Sequence, residues 1–281
     1  MFQLNIAAIA IAAQATWKRI SPIVIRDTIL LPLLGFLGVL LLWWCIATFN
    51  SELLPTPVQA FQANLDYLLH PFYRRGPGDL GLGWLLLASL RRVLIGFGLG
   101  ALVAIPIGFL IGMSRQAMLA LNPIIQIFRP VSPLAWLPIA LAIFNLADPS
   151  AIFVIFITSL WPTIINTALG VSSVSKDYLD VARVLEMPRW RRITKIIWPA
   201  SLPYIFTGLR ISLGIAWLVI VAVEMLTGGV GIGFFVWDEW SRLNLSSVLL
   251  AVLVIGITGL VLDWAIGQIQ RLVTRRPAKS T

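Results

Sequence analysis

The chain has 281 residues, 59% of them hydrophobic and 12% charged, and its mean hydropathy of +0.91 excludes a soluble one-core domain and indicates an all-α, polytopic membrane protein. A single cysteine and a single histidine exclude a disulfide framework or a Cys/His metal site, and no P-loop sequence is present, so the chain is not itself an ATPase. The net charge of +9 does not indicate a nucleic-acid partner, because the basic residues gather at the ends of apolar stretches.

Residues 1–17 are uncharged and are followed by Lys18 and Arg19. A secretory signal has basic residues before its apolar stretch and a cleavage site of small residues after it, so we predict a helix on the inner membrane surface instead. A seventh span is the alternative. The outer loop at 50–83 is rich in proline and glycine and is predicted to be irregular, with a short helix near 58–69.

Six apolar stretches are each long enough to cross a hydrocarbon core of about 30 Å as a helix. We place them near residues 30–49, 86–113, 119–145, 150–171, 204–226 and 247–268. Helices are expected rather than barrel strands, because stretches of this length satisfy their backbone groups internally only as helices.

The distribution of lysine and arginine orients these spans. If both termini are cytoplasmic, fourteen basic residues lie on the inner side: Lys18, Arg19, Arg26, Arg115, Lys176, Arg183, Arg189, Arg191, Arg192, Lys195, Arg271, Arg275, Arg276 and Lys279. Five lie on or near the outer side: Arg74, Arg75, Arg91, Arg92 and Arg242. The positive-inside rule therefore predicts that both termini and the charged loop between spans four and five are cytoplasmic.

The third span contains a cation that is followed by three prolines. Arg129 is followed by Pro130, Pro133 and Pro138, which must break or kink the helix and free backbone groups that are tolerated only beside protein or a water-filled cavity. Together with Ser132, the arginine has the chemistry to contact a small planar anion in passage. The alternative is that Arg129 extends to the inner surface, and the residues leave both interpretations open.

The hydrophilic loop at 172–200 has the pattern of two short helices. An apolar stripe at i, i+3, i+4 and i+7 consists of Tyr178, Val181, Ala182 and Leu185. Ser175 is placed to cap the first helix, and Pro188 suits the first position of the second. Helices of about ten residues are marginal in water, so each needs a surface to pack against. That surface is either the chain's own bundle or a soluble partner.

Ionisable groups within the spans predict ion pairs. Each costs at least roughly 2 to 3 kcal/mol in lipid, so each needs a partner or a purpose. Arg210 and Asp263 lie at similar depth near the inner ends of spans five and six. Glu224 lies near the outer end of span five, at the depth of Arg91 and Arg92 in span two. For both groups we favour a structural role over a role in transport.

The loop also carries a spacing that resembles a known family. The integral-membrane subunits of ABC importers that work with a binding protein have the signature Glu-Ala-Ala, three residues, Gly, nine residues, then Ile-x-Leu-Pro. The corresponding positions here are Asp180-Val181-Ala182, Glu186 and Ile196-Ile197-Trp198-Pro199. Glu186 replaces the glycine that bends the loop, at a cost of roughly 1 to 2 kcal/mol if this residue is left-handed.

The resemblance extends over roughly Leu82–Gln270. Four segments look like the nitrate branch of the family, which has bicarbonate, cyanate, taurine and sulfonate relatives: Arg129–Pro138, Asp148–Ile157, Pro203–Arg210 and Glu224–Asp238. The resemblance predicts an N-terminal part at 1–83, a transmembrane domain at 84–270 with the coupling loop at 172–200, and a basic cytoplasmic tail at 271–281.

The resemblance implies a non-catalytic permease of the bacterial inner membrane that imports a small inorganic anion, nitrate by preference. It implies a dimer of such subunits, two cytoplasmic ATPases that carry ATP and Mg, and a periplasmic or lipid-anchored binding protein, with no cofactor on this chain itself. The residues implied in ATPase coupling are Tyr178, Asp180, Val181, Ala182, Leu185, Glu186 and Pro199.

The alternative from another class is an ion-coupled secondary transporter or channel that acts without an ATPase. Glu224 or Asp263 would then carry the coupling ion. Such a protein has no need for the helix-forming loop, and it usually contains an internal repeat, which this sequence lacks.

Overall fold

The computed structural model describes residues 30–49, 54–76 and 79–274, and the predicted surface helix at 1–17 lies outside them, as does the tail beyond residue 274. The chain divides into two compact units at Ala63 and Asn64. In the first unit, α1 (Leu31–Phe49) is an uncharged helix in which only Ala47 is buried. It is followed by α2 (Pro57–Ala63).

The second unit begins with more regular structure than the predicted irregular loop. A short helix, α3 (Leu65–Leu69), precedes two antiparallel strands, β1 (Arg74–Gly76) and β2 (Asp79–Leu80), which pair Arg74 with Leu80 and Gly76 with Asp79. The prediction of one helix near 58–69 was therefore right in position, but the segment forms two helices, α2 and α3, in different units.

A row of small residues lets two long helices of the bundle approach closely. These helices are α4 (Leu82–Met113) and α7 (Ala147–Ser172). Glycines on one face of α4 face α7, and a Cβ at each would meet its atoms within 3.0 Å: Gly96 at Ile155, Gly100 at Ser159, Gly108 at Thr167 and Gly112 at Val171. The contacts advance together along both helices, which therefore run parallel. This is the small-residue packing by which membrane helices associate without a hydrophobic driving force.

The third predicted span is a broken helix. Helix α5 (Arg115–Phe128) is followed by a 3-10 turn at Pro133–Trp136 and by α6 (Leu137–Phe144), and the two parts are bent by 93°. The break lies where the prolines were predicted to interrupt the helix, since proline removes a backbone donor and clashes with the preceding turn.

The charged loop leads directly into the next span. It begins with α8 (Lys176–Val184), and α9 (Arg189–Arg192) continues through a π-helical turn at Ile193–Ile197 into α10 (Trp198–Thr227). The prediction of a short, separate second helix was wrong, because no residue between Arg189 and Trp198 breaks the run. Pro199 lies just after the π-helical turn, where that turn passes into α10.

The last two helices close the bundle. These are α11 (Ile232–Ser241) and α12 (Leu245–Thr274). The core centres on α10, where Ala216, Ile220 and Val223 are fully buried, and the Trp217 indole Nε1 donates to the Ile255 carbonyl of α12 at 3.0 Å. Among the described residues, five helical runs are long and apolar enough to cross a membrane, and six if the bent pair is one span.

Candidate functional site

Helix α8 begins as the sequence predicted. Ser175 is the cap residue, and its Oγ accepts a hydrogen bond from the Asp177 backbone N–H at 3.3 Å. Asp177 lies in the first turn, where a carboxylate is favourable against the helix dipole. Asp180 pairs with Arg183 at 2.8 Å on the exposed surface, a contact of little energetic weight.

The two faces of α8 have different surroundings. Leu179 packs against Val171, Val174 and Ile197 at the end of the bundle that carries the loop, which we call the loop end. Ala182 is 1% exposed.

Three large apolar side chains lie on the outward face of the same helix and its C-cap: Tyr178, Val181 and Leu185, each more than half exposed. The predicted stripe therefore divides, because Ala182 is buried while its other three members are exposed. A docking partner would contact the three exposed side chains and not Ala182.

Glu186 adopts the left-handed backbone conformation that was considered for it at the glycine position of the family signature. Its φ is +48°, and the helix ends in a Schellman motif in which Met187 N–H donates to Ala182 O at 2.9 Å and Glu186 N–H to Arg183 O at 3.0 Å. Glycine is the residue usually found at this position because it lacks a Cβ. Glu186 thus makes the bend that a glycine would make, at an energetic cost.

At the opposite end of the bundle, a buried ion pair joins α4 to α10. The side chains of Arg92 and Glu224 are 9% and 2% exposed, and Arg92 Nη1 donates to Glu224 Oε1 at 2.6 Å. The second carboxylate oxygen accepts from Ser89 Oγ at 2.8 Å and from the Gly233 N–H at 3.0 Å. Both oxygens of this buried carboxylate are therefore satisfied by donors.

Arg92 also binds the glycine-rich turn that joins α10 to α11. Arg92 Nη1 also donates to the Val230 carbonyl at 2.6 Å, and the Ile232 N–H donates to Ser89 Oγ at 3.0 Å. A Cβ at Gly231 would collide with the carboxyl group of Glu224, so a larger residue there would displace that carboxyl group from its donors. The turn is thereby held to α4 and α10 through polar contacts and close backbone packing.

Asp148 was not predicted as a partner in this network. It accepts from Arg92 Nη2 at 2.5 Å and from Arg91 Nη2 at 2.7 Å. Of the two arginines predicted at the depth of Glu224, Arg92 therefore pairs with Glu224, while Arg91 pairs with Asp148. The sequence did contain a signal for this pair. Asp148 is the first acidic residue after Asp79, and it begins a span at the same end as the two arginines.

The second predicted pair is also brought together. Arg210 of α10 contacts Asp263 of α12 at two points, with Nε on Oδ1 and Nη2 on Oδ2. Both side chains are about half exposed in this single chain. The two-point geometry is the arrangement in which a guanidinium binds a carboxylate most strongly.

Arg129 and Ser132 line one recess at the break in the third span. The recess has a volume of about 380 Å³ and lies between the broken segment, α7 and α10. Among the described residues no carboxylate pairs with Arg129, so its guanidinium is available to an anion. Asn166 of α7 lies in the same wall, together with the indoles of Trp136 and Trp161.

Comparison with known proteins identifies relatives over most of the chain. Residues 104–277 match the family described as "Binding-protein-dependent transport system inner membrane component". The bicarbonate transport system permease protein CmpB of Synechococcus elongatus is 47% identical over 252 residues, which are 89% of this chain and 91% of that protein. The nitrate import permease protein NrtB of a Synechocystis species is also 47% identical, over 90% of each chain.

The fold is that of an importer permease. A solved structure of the MetNI methionine ABC transporter, in an inward-facing conformation, contains a chain that superposes with a TM-score of 0.60 at 16% identity. The match covers 67% of this chain and 94% of that one. At this identity the comparison shows the shared architecture, which is the type I permease arrangement of helices.

Proposed function

This chain belongs to the family of inner-membrane components of binding-protein-dependent transport systems, and on that premise we propose that it is the permease subunit that carries a small planar oxyanion, nitrate by preference, into the cell. The observation that carries the proposal is the near-equal identity to permeases named for nitrate and for bicarbonate. Both anions are trigonal and singly charged. Bicarbonate is therefore the second candidate.

The loop at 172–200 is proposed as the point where a cytoplasmic ATPase holds this subunit. Tyr178, Val181 and Leu185 present an exposed apolar patch on a capped helix, which is the geometry of a helix that docks in a partner's groove. Because α9 runs unbroken into α10, a displacement of the loop passes directly into a span. Ala182 and Pro199 shape the loop, whereas Asp180 and Glu186 are exposed and available to the same contact.

The proposed assembly contains two permease subunits, two ATPases that bind ATP and Mg, and an external binding protein. The excess of lysine and arginine at the loop end supports a cytoplasmic loop and cytoplasmic termini. An ion-coupled mechanism has less support, because both carboxylates it would use, Glu224 and Asp263, have each oxygen engaged by a donor.

The recess of Arg129 and Ser132 is proposed as a point on the anion's path. A guanidinium offers a planar oxyanion two parallel N–H donors. An apolar wall and a single unpaired cation keep the contact brief enough for release, as conduction requires. We expect Arg129→Gln to slow uptake while the complex assembles normally. Normal uptake by this variant would contradict the passage role.

Substrate choice is tested with the complete reconstituted complex. The binding protein is loaded in turn with nitrate, nitrite, bicarbonate, cyanate or taurine, and ATP hydrolysis and anion uptake are measured together. We expect nitrate to stimulate both most strongly. Stimulation by taurine or cyanate without stimulation by nitrate or bicarbonate would contradict the proposed substrate class.

A further inference from the structure

A second recess lies at the loop end of the bundle, between the end of α4, α5 and the end of α7. Its volume is about 410 Å³, and its polar lining consists of Arg115, Asn122 and Ser172. The recess of Arg129 and this second recess share the side chain of Ile165 in their walls. We call them the middle recess and the inner recess.

The two recesses follow one another in depth. The middle recess uses residues 157–166 of α7 and the inner recess uses residues 164–172, which end at the loop. Helix α5 forms the facing side, with Arg115 at its first residue and Arg129 just beyond its last. Arg129 follows Arg115 by fourteen helical positions, which is roughly 20 Å along the axis.

The walls of the two recesses carry cations without neighbouring carboxylates. The sequence has no aspartate or glutamate from residue 80 to 147 or from 149 to 176. Among the described residues, no carboxylate pairs with Arg115 or with Arg129. A cleft lined by one sign of charge between low-dielectric walls concentrates ions of the opposite sign.

The inner recess also holds a group that complements the cation. The Asn122 amide can donate to an anion oxygen, as a guanidinium does. The Ser172 hydroxyl hydrogen is already donated to the Leu169 carbonyl at 3.1 Å. Arg115 and Asn122 are therefore the two donors of this recess that an oxyanion would contact.

We propose that the inner recess is a second, exit-side binding site for the transported oxyanion, with Arg115 and Asn122 as its donors. This inference rests on the proposed function and adds a site to it. An anion that left Arg129 for the loop end would otherwise cross an apolar stretch without a partner. Several weak sites in series permit both entry and release, whereas a single strong site would trap the ion.

The test is nitrate uptake by proteoliposomes that contain the complete complex, measured against the concentration of loaded binding protein. We expect Arg115→Gln to lower the maximal rate about tenfold, the effect of losing one charge-assisted contact, with the half-saturating concentration unchanged. Arg115→Lys keeps the charge and should restore most of the rate. Asn122→Leu, which changes no charge, should also slow uptake.

The matched control is Arg271→Gln, which removes one positive charge near the loop end and outside both recesses. It should transport at the normal rate. A normal rate for Arg115→Gln, or an equal loss in Arg115→Gln and Arg271→Gln, would overturn the second site. Uptake by the unaltered complex tests the proposed function separately, so a failure of the second site is distinguishable from a failure of the function.

Discussion

At the scale of single residues, Glu186 shows the cost of a bend made without glycine. A non-glycine residue in the left-handed region costs roughly 1 to 2 kcal/mol, and the Schellman hydrogen bonds at the end of α8 hold it there. The spacing of the family signature is kept although the glycine is not.

We predict that Glu186→Gly stabilises the chain by about 1 kcal/mol, because glycine enters the left-handed region without a Cβ penalty. The measurement is the unfolding temperature of the purified protein in detergent. The control is Asn145→Gly, at a φ of +53°, where asparagine already tolerates this conformation and the gain should be smaller. A lower unfolding temperature for Glu186→Gly would contradict the account of the bend.

Arg92 offers a second prediction at this scale. Removing one partner of a buried ion pair leaves the other charge uncompensated, so Arg92→Met should destabilise the chain by about 3 to 5 kcal/mol. The neighbouring Arg91→Met should cost less than about 1 kcal/mol, because Arg91 is 64% exposed and its pair with Asp148 is solvated.

The readout for both arginine variants is again the unfolding temperature. The double variant Arg92→Met with Glu224→Leu should recover part of the loss, since it removes the unpaired charge as well. Equal destabilisation by Arg92→Met and Arg91→Met would contradict the stabilising role of the buried ion pair.

At the scale of elements, the parallel pair of α4 and α7 depends on its small residues. Gly100→Leu would place a side chain against Ser159, where no space exists, and should separate the two helices. Gly98→Leu is the matched control, because nothing lies within 4 Å of a Cβ at that position. We expect the first variant to aggregate on size-exclusion chromatography in detergent and the second to remain monodisperse. Identical elution profiles would contradict the packing role.

The coupling loop gives the second prediction for an element. Leu185→Asp should prevent copurification with the ATPase, because it places a charge on the exposed apolar patch without disturbing the packed residue Ala182. Leu243→Asp changes a similarly exposed leucine, which is 80% exposed and precedes α12, and should leave the ATPase bound. Normal copurification of Leu185→Asp with the ATPase would contradict the proposed role of the loop.

The loop shows how much of the structure can be predicted from the sequence alone. The cap at Ser175 and the outward position of Tyr178 and Leu185 follow from local signals that act within one helix. The inward position of Ala182 does not, because helical spacing alone places it in one stripe with Tyr178 and Leu185. The rotation of α8 is fixed by contacts with the rest of the bundle, such as the packing of Leu179 against Val171 and Val174.

At the scale of the whole molecule, the helical membrane fold follows from apolar length, and the break in the third span follows from its prolines. Contacts between helices were harder to predict from the sequence. The pair of Arg210 with Asp263 was expected from depth alone, whereas the choice of Asp148 over Glu224 by Arg91 depends on how α4 and α7 are rotated against each other. A single sequence does not specify that rotation.

Under the proposed function, partner subunits convert ATP hydrolysis into motion of the loop. In this account the chain supplies a path, two unpaired arginines along it, and a mechanical connection from α8 into α10. It supplies no energy source of its own. Anion accumulation should therefore require every partner at once.

The most direct test of this claim is nitrate accumulation in proteoliposomes with and without internal ATP. The complete complex with loaded binding protein outside should accumulate nitrate only when hydrolysable ATP is present inside, and the permease alone should accumulate none under a proton or sodium gradient. Accumulation by the permease alone, driven by such a gradient without the ATPase, would contradict the account.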